Sequence, residues 1–393
     1  MEFTVEGFQV QSLHYVVWKV GHGLCLSLIP SKDSQKRIQI DCGCGIKGGA
    51  ELALNRLTQF SPSDLFISHF HKDHYNAITK EGPKEKYLSV ESLYFPIIPR
   101  FERDDSQVID NSQKFLAQIL AMNCRLLDDT TDFVELSIID SLKRLNKGEF
   151  KSIPLFAGMR VSLGGCEKEI RIEILWPPEY LKHKGTIAEI RNAMDAFEKA
   201  CKTDRRLNEL YAQAVVHASH FQKAQENSPA PVDQESQDNQ QSGNVRGPLK
   251  DARHAKIPSE TKEANEKLRK AANRLSLCFR IENEFLFLGD LENADIKRVI
   301  KTIAKNTDKA ISFTSMITPH HGTHWHDCLR KLKVKYAVSS LGNGDRRYFK
   351  ENHYKSIAEN TPNTLINDVC CPECTSDFCN QVCSTVIQSN LEA

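Results

Sequence analysis

The apolar run DLFIS ends at residue 68, and the next six positions hold His69, His71, Asp73 and His74. A β-rich run followed at once by four metal-ligating side chains constrains the fold more than any other feature, because a strand must deliver its C-terminal end to a metal. His69 and His71 alternate in an extended segment and project the same way, while Asp73 and His74 open a short helix. One loop can therefore serve two adjacent metals. Imidazole with carboxylate favours zinc, manganese or iron over the all-oxygen sites of calcium and magnesium. A solvated loop rich in histidine by chance would not need the apolar strand before it.

The runs LHYVVWKV, LCLSLI and RIQID between residues 13 and 41 predict short antiparallel strands. The glycine-rich DCGCGIKGG follows, then a helix over ELALNRLTQF and the strand DLFIS, giving the order β-β-β-α-β. Residues 87–95 and 152–176 are again β-like, with polar helical sequence between them. Helical periodicity returns from about 186 to 224, and roughly 225–260 is rich in Gln, Ser, Asp and Pro and nearly free of large apolar residues, the composition of a flexible linker. RLSLCFRIENEFLFLGDLE then predicts a hairpin, ADIKRVIKTIAK a helix, and SMITPHHGTHWHD a strand ending in a second histidine cluster.

At 393 residues the chain is long for one compact core, which suggests a large domain carrying an insertion. Its 52 basic and 51 acidic residues give a net charge of +1, so no global field draws it to nucleic acid or to an anionic membrane. The N-terminal stretch lacks the features of a signal peptide and no run is long and apolar enough to span a bilayer; the expectation is a cytoplasmic protein with no membrane partner. Of 13 cysteines, five crowd the C-terminal end, where Cys371, Cys374, Cys379 and Cys383 have the spacing of a structural zinc site, with free thiols or a redox-sensitive tail as the alternatives.

The HxHxDH pattern after a strand resembles the metallo-β-lactamase superfamily. VGHGLCLSLI followed by IQIDCG is similar to that superfamily's opening strands, with Asp41 in the DxG turn, and FLFLGDLE supplies Asp290 as the later GD aspartate. ILWPP, NRLSLCFRI, TPHHGTH and AVSSLGNGDRRYFKENHY most resemble the soluble domain of the competence protein ComEC and its relatives. The likeness covers about 11–95, 170–180 and 273–360. It implies an α/β fold, a metallo-β-lactamase αββα sandwich with a helical and disordered insertion and a Cys-rich C-terminal tail. Its N-terminal half would span 1–185, the insertion 186–272, the C-terminal half 273–365 and the tail 366–393.

By the same resemblance, two divalent ions, zinc or manganese, are expected as cofactors. His69, His71 and one downstream histidine would hold the first; Asp73, His74 and Asp290 the second, with Asp290 shared. The downstream residue is His320 or His321, as ligand or as proton donor, with His320 favoured by its place directly after the strand MITP; His353 is a further candidate. Asp73, His320 and His321 form the expected catalytic set, and Asp41 would orient a ligand histidine. His324 and His326 extend the cluster or form a surface turn, and His22 is a candidate for lining the cleft or an ordinary turn residue. His183, His217 and His220 read as ordinary helix or loop residues.

The segment KEANEKLRKAANR gathers Lys262, Lys267, Arg269, Lys270 and Arg274, either a phosphate-facing patch or a solvated helix face. The resemblance implies a metal-dependent phosphodiesterase or nuclease acting on DNA, then RNA. The alternatives are a small-molecule hydrolase of a phosphoester, cyclic nucleotide or lactone, and a partner-binding component of a defence system that docks through the insertion or tail.

Overall fold

In a computed structural model of the chain, the short β-branched and aromatic runs assemble into two mixed sheets. The structure describes residues 14–18, 20, 23–29, 36–45, 49–79, 88–100, 111–126, 138–163, 170–226, 257–305, 311–341, 343–359, 364–367 and 384–388. His22, residues 227–256 of the expected linker, and Cys371, Cys374, Cys379 and Cys383 lie outside the described residues.

The first sheet contains β1 (His14–Trp18), β2 (Cys25–Ile29), β3 (Ile38–Cys42), β4 (Asp64–Phe66), β5 (Ser92–Pro96) and β6 (Lys151–Leu155) side by side in that order. The first three pair antiparallel and the rest parallel. The second contains β7 (Arg160–Leu163), β8 (Ile170–Trp176), β9 (Cys278–Ile281), β10 (Phe285–Phe287), β11 (Ile311–Ile317), β12 (Leu332–Ser340) and β13 (Thr364–Asn367), antiparallel up to β10 and parallel beyond it. A final strand, β14 (Ser384–Gln388), pairs antiparallel with β1, so each sheet has seven strands among the described residues. The expected hairpin is β9–β10, turned at Glu282 with φ 43° and closed by Glu284 N–H donating to Ile281 O at 3.0 Å.

The inward faces of the two sheets meet in one apolar layer that includes Leu26, Ile40, Phe66 and Tyr94 from the first and Ile172, Phe279, Phe287 and Val338 from the second. Phe66 stacks on Tyr94 at 4.4 Å and reaches across to Phe279 at 6.0 Å, a dense contact of the kind that contributes about 1.5–3 kcal/mol per buried side chain. Helices cover the outer faces. Those on the first sheet include α1 (Gly49–Phe60), α3 (Asn111–Arg125) and α4 (Ile138–Leu145), while α2 (Lys72–Tyr75) is a single turn in the histidine loop.

The three helices of the expected insertion, α5 (Lys184–Thr203), α6 (Arg205–Glu226) and α7 (Ser259–Asn273), join the same core: Phe197, Leu207 and Leu268 share a cluster with Leu54 and Leu65. Buried Asp204 ties them together as the N-cap of α6, accepting from Leu207 N at 3.1 Å, from Thr261 Oγ1 of α7 at 2.9 Å and from Arg125 Nε of α3 at 2.8 Å. On the second sheet lie α8 (Asn293–Ala304), buried along Ile296, Val299 and Ile300 at helical spacing, and α9 (Glu351–Lys355). Among the described residues no helix is long and apolar enough to cross a membrane, and no disulfide forms.

Candidate metal centre

β3, β4, β10 and β11 run parallel within their sheets, in pairs; Asp41 is the penultimate residue of β3, and the chain that leaves the C-terminal ends of the other three carries His69 to His74, Asp290, and His320 with His321. Asp41 is in the left-handed region at φ 52° and fully buried. Its carboxylate accepts from Ser68 N at 2.7 Å, Ser68 Oγ at 2.5 Å and His74 Nδ1 at 2.7 Å. A carboxylate can only accept from Nδ1, so when the ring of His74 is neutral, as metal binding requires, its lone pair is on Nε2.

That nitrogen is buried, makes no hydrogen bond, and lies 3.6 Å from Asp290 Oδ2. The same oxygen is 3.5 Å from His321 Nε2, 3.7 Å from His69 Nε2 and 3.9 Å from His320 Nε2. These distances exceed ordinary N–H···O hydrogen bonds and approach the ~3.3 Å that separates two donors each about 2.0–2.1 Å from a shared tetrahedral ion. His69, His74 and Asp290 form one group whose ligating atoms all lie within 4.8 Å of one another, and Asp73, His74 and His321 form a second. The two groups share His74 and can hold one or two metal ions. His71 Nδ1 is 2.9 Å from His69 Nε2, which places it at the edge of the first group. The orphaned Nε2 of His74 and the nitrogen and oxygen donor set both fit a divalent cation of the zinc class.

Backbone contacts hold the ligand loop down. A Cβ on Gly43 would lie 1.8 Å from Asp73 O and 2.3 Å from His74 N, so only glycine lets β3's exit pass beneath the loop. Leu277 N–H donates to Ser68 O at 2.6 Å, joining the segment after α7 to the strand end that carries His69. His320 and His321 both take left-handed backbone, φ 48° and 57°, and so depart from the alternation of the strand before them.

Burial, with the charge of His74 and His71 added, pushes His69 well below the ordinary imidazole range. Burial, then the positive charge of Arg269, lowers His71 to about 3. Both rings are therefore neutral at pH 7, the form that binds metal. Burial alone would raise Asp290, but His321, His74, His320 and His69 together hold it well below the usual carboxylate range. For His74 burial is again outweighed, here by Asp290 and Asp41, which raise it.

His320 faces away from the two groups through its other nitrogen, with Nδ1 3.2 Å from His324 Nδ1, and with Glu292 these residues make a third cluster. His353 is exposed and stacks on Trp325 at 5.0 Å. His326 Nδ1 accepts from Cys328 N at 3.1 Å and caps a short turn. His183 is exposed just before α5, and His217 lies within α6. Sequence reasoning passed over Ser68, Gly43 and Glu292. Ser68 and Glu292 carried a signal, being adjacent to His69 and two residues beyond Asp290, whereas the role of Gly43 depends on a close approach between distant segments. Comparison with known proteins finds no matching family model and no matching curated protein.

Proposed function

We propose that this chain is a metallo-β-lactamase-like hydrolase that cleaves phosphodiester bonds, with nucleic acid as its substrate, DNA before RNA. The observation that carries this reading is the convergence of four imidazole nitrogens, two from each of two loops, on a single oxygen of Asp290. When bound, a pair of divalent ions supplies a hydroxide at neutral pH and Lewis acidity at the scissile phosphate.

The protein's own groups do the rest. Asp41 fixes the ring and tautomer of His74, and the neutral rings of His69 and His71 flank Asp290 without demanding proton loss at pH 7. His320 is half-buried, with one nitrogen toward Asp290, a position from which a proton can pass to a leaving oxygen. Arg269 is exposed on α7 and its charge acts on His71, so a guanidinium lies within electrostatic range of the centre and favours an anionic substrate. The choice of a polymer over a small ester rests on this positive charge and on the ComEC-like sequence motifs.

The test is cleavage of linear and circular DNA, RNA and a generic phosphodiester by the purified chain with manganese or zinc, beside Asp73→Ala. Polymer cleavage that Asp73→Ala lacks supports the proposal. Turnover of the small phosphodiester alone moves the substrate to a small molecule, and undiminished turnover by Asp73→Ala removes the site assignment.

A further inference from the structure

The sequence HHGTH folds into a tight turn. Thr323 donates to His320 O from its backbone N–H at 3.0 Å and from Oγ1 at 2.7 Å, which brings the ring of His324 back to 4.1 Å from that of His320 at an interplanar angle of 72°. Tyr354 OH donates to His324 O and fixes the turn against α9. From the other side comes Glu292, the residue that starts α8. Although one oxygen accepts from Asn273 Nδ2 at 3.5 Å, its carboxylate makes no capping bond to that helix. Instead one of its oxygens and one nitrogen from each histidine lie within 4.8 Å of one another.

We infer that Glu292, His320 and His324 form a third divalent-cation site, adjoining the main centre through His320. Two imidazoles and one carboxylate are a zinc-type donor set that leaves a coordination position open. All three residues are partly exposed, unlike buried His69, His74 and Asp290, so this cation exchanges with solvent more readily than those of the main centre. The carbonyl of Leu291, 3.1 Å from His324 Nδ1, is placed to orient that ring, as outer partners of ligand histidines do. A metal-free turn in which His324 Nδ1–H is shared between Leu291 O and His320 is the competing arrangement.

The consequence lies in His320. Its Nε2 is 3.9 Å from Asp290 Oδ2 while its Nδ1 faces His324, so one ring stands between two sites. A cation at the outer site holds that ring in place and makes His320 a positioning element controlled from outside the main centre. This inference rests on the proposed metal centre only for that link; the outer donor set stands without it.

The test uses the full chain, stripped by chelator and dialysed against a series of buffered free-zinc levels, with bound zinc counted per chain. Glu292→Gln and His324→Gln are each expected to lower bound zinc by about one equivalent, and the loss is expected to add to that of an Asp73→Ala, His74→Ala double variant. Zinc bound by the cysteine tail would be common to all variants and cancels in the differences. Unchanged zinc in both single variants overturns the third site, while the double variant reports separately on the main centre. A loss of about two equivalents from His324→Gln, with thermal unfolding unchanged, places His324 in the main centre and also overturns the inference. Glu292→Gln keeps an oxygen for the long bond from buried Asn273 Nδ2 at 3.5 Å, which makes it the variant least exposed to a folding defect.

Discussion

Replacing Asp41 by Asn keeps the size of the side chain and removes one acceptor. In the wild-type chain one carboxylate oxygen takes the Ser68 amide at 2.7 Å and the other takes both Ser68 Oγ at 2.5 Å and His74 Nδ1 at 2.7 Å. With Asn, the carbonyl oxygen keeps the Ser68 amide and the NH2 group meets Ser68 Oγ, which can turn to accept. It also meets His74 Nδ1, which can satisfy a donor only by giving up its proton. The tautomer then reverses and Nε2, 3.6 Å from Asp290, carries the hydrogen in place of the lone pair that a metal requires. Loss of such an orienting partner costs about 10–100-fold in metal affinity, or about 1.4–2.7 kcal/mol. In the metal-free fold Asn removes the cost of burying the Asp41 charge but also removes a charge that raises His74, so stability is a separate quantity from zinc affinity. Competition for zinc against a chromophoric chelator measures the first quantity and metal-free thermal unfolding the second. Wild-type zinc affinity in Asp41→Asn would refute the tautomer argument, and a large fall in metal-free stability would show that Asp41 is needed for folding first.

Gly43→Ala leaves every donor in place but drives a methyl group to 1.8 Å from Asp73 O, so bound zinc is expected to fall as in a ligand deletion; full zinc binding would show that the two backbones can separate cheaply. His71 titrates at about 3 in the fold against an ordinary 6.5, so between those values only the unfolded chain takes up its proton and stability falls as pH falls, by up to about 1.4 kcal/mol per pH unit. Urea unfolding of the metal-free chain between pH 7 and pH 5 should therefore show a shallower pH dependence in His71→Gln, and equal slopes would contradict the burial of a neutral ring. Arg274→Ala leaves fully buried Asp295 with Arg298 as its remaining ion-pair partner; a loss of about 3 kcal/mol in urea unfolding is expected, and under about 1 kcal/mol would mean that Arg298 suffices.

Much of the centre was legible because it is local. His69, His71, Asp73 and His74 fall within six positions after an apolar run, and any chain that buries that strand delivers all four side chains together. The hairpin of β9 and β10, the helix α8 with its apolar residues at helical spacing, and the β-β-β-α-β opening follow from period and turn chemistry in the same way. Partners from other strands were legible only as candidates. Position after a strand favours His320, yet two consecutive left-handed residues bring His321 beside Asp73 and His74 and turn His320 toward His324 and Glu292. No periodicity encodes that, since a positive φ in a non-glycine residue is sustained by surrounding contacts.

By itself the sequence determined which residues are able to ligate a metal and that two β-rich halves enclose a helical stretch, because those properties reside in side-chain chemistry and in spacing along a few turns or strands. Only the tertiary structure decided that α5, α6 and α7 share the core of the first sheet, that Gly43 lies under Asp73, and that the charge of Arg269 reaches His71. Each of these is a meeting of segments far apart in the chain. Such meetings are selected by packing two sheets and their helices together at once, a condition that no local stretch of residues contains.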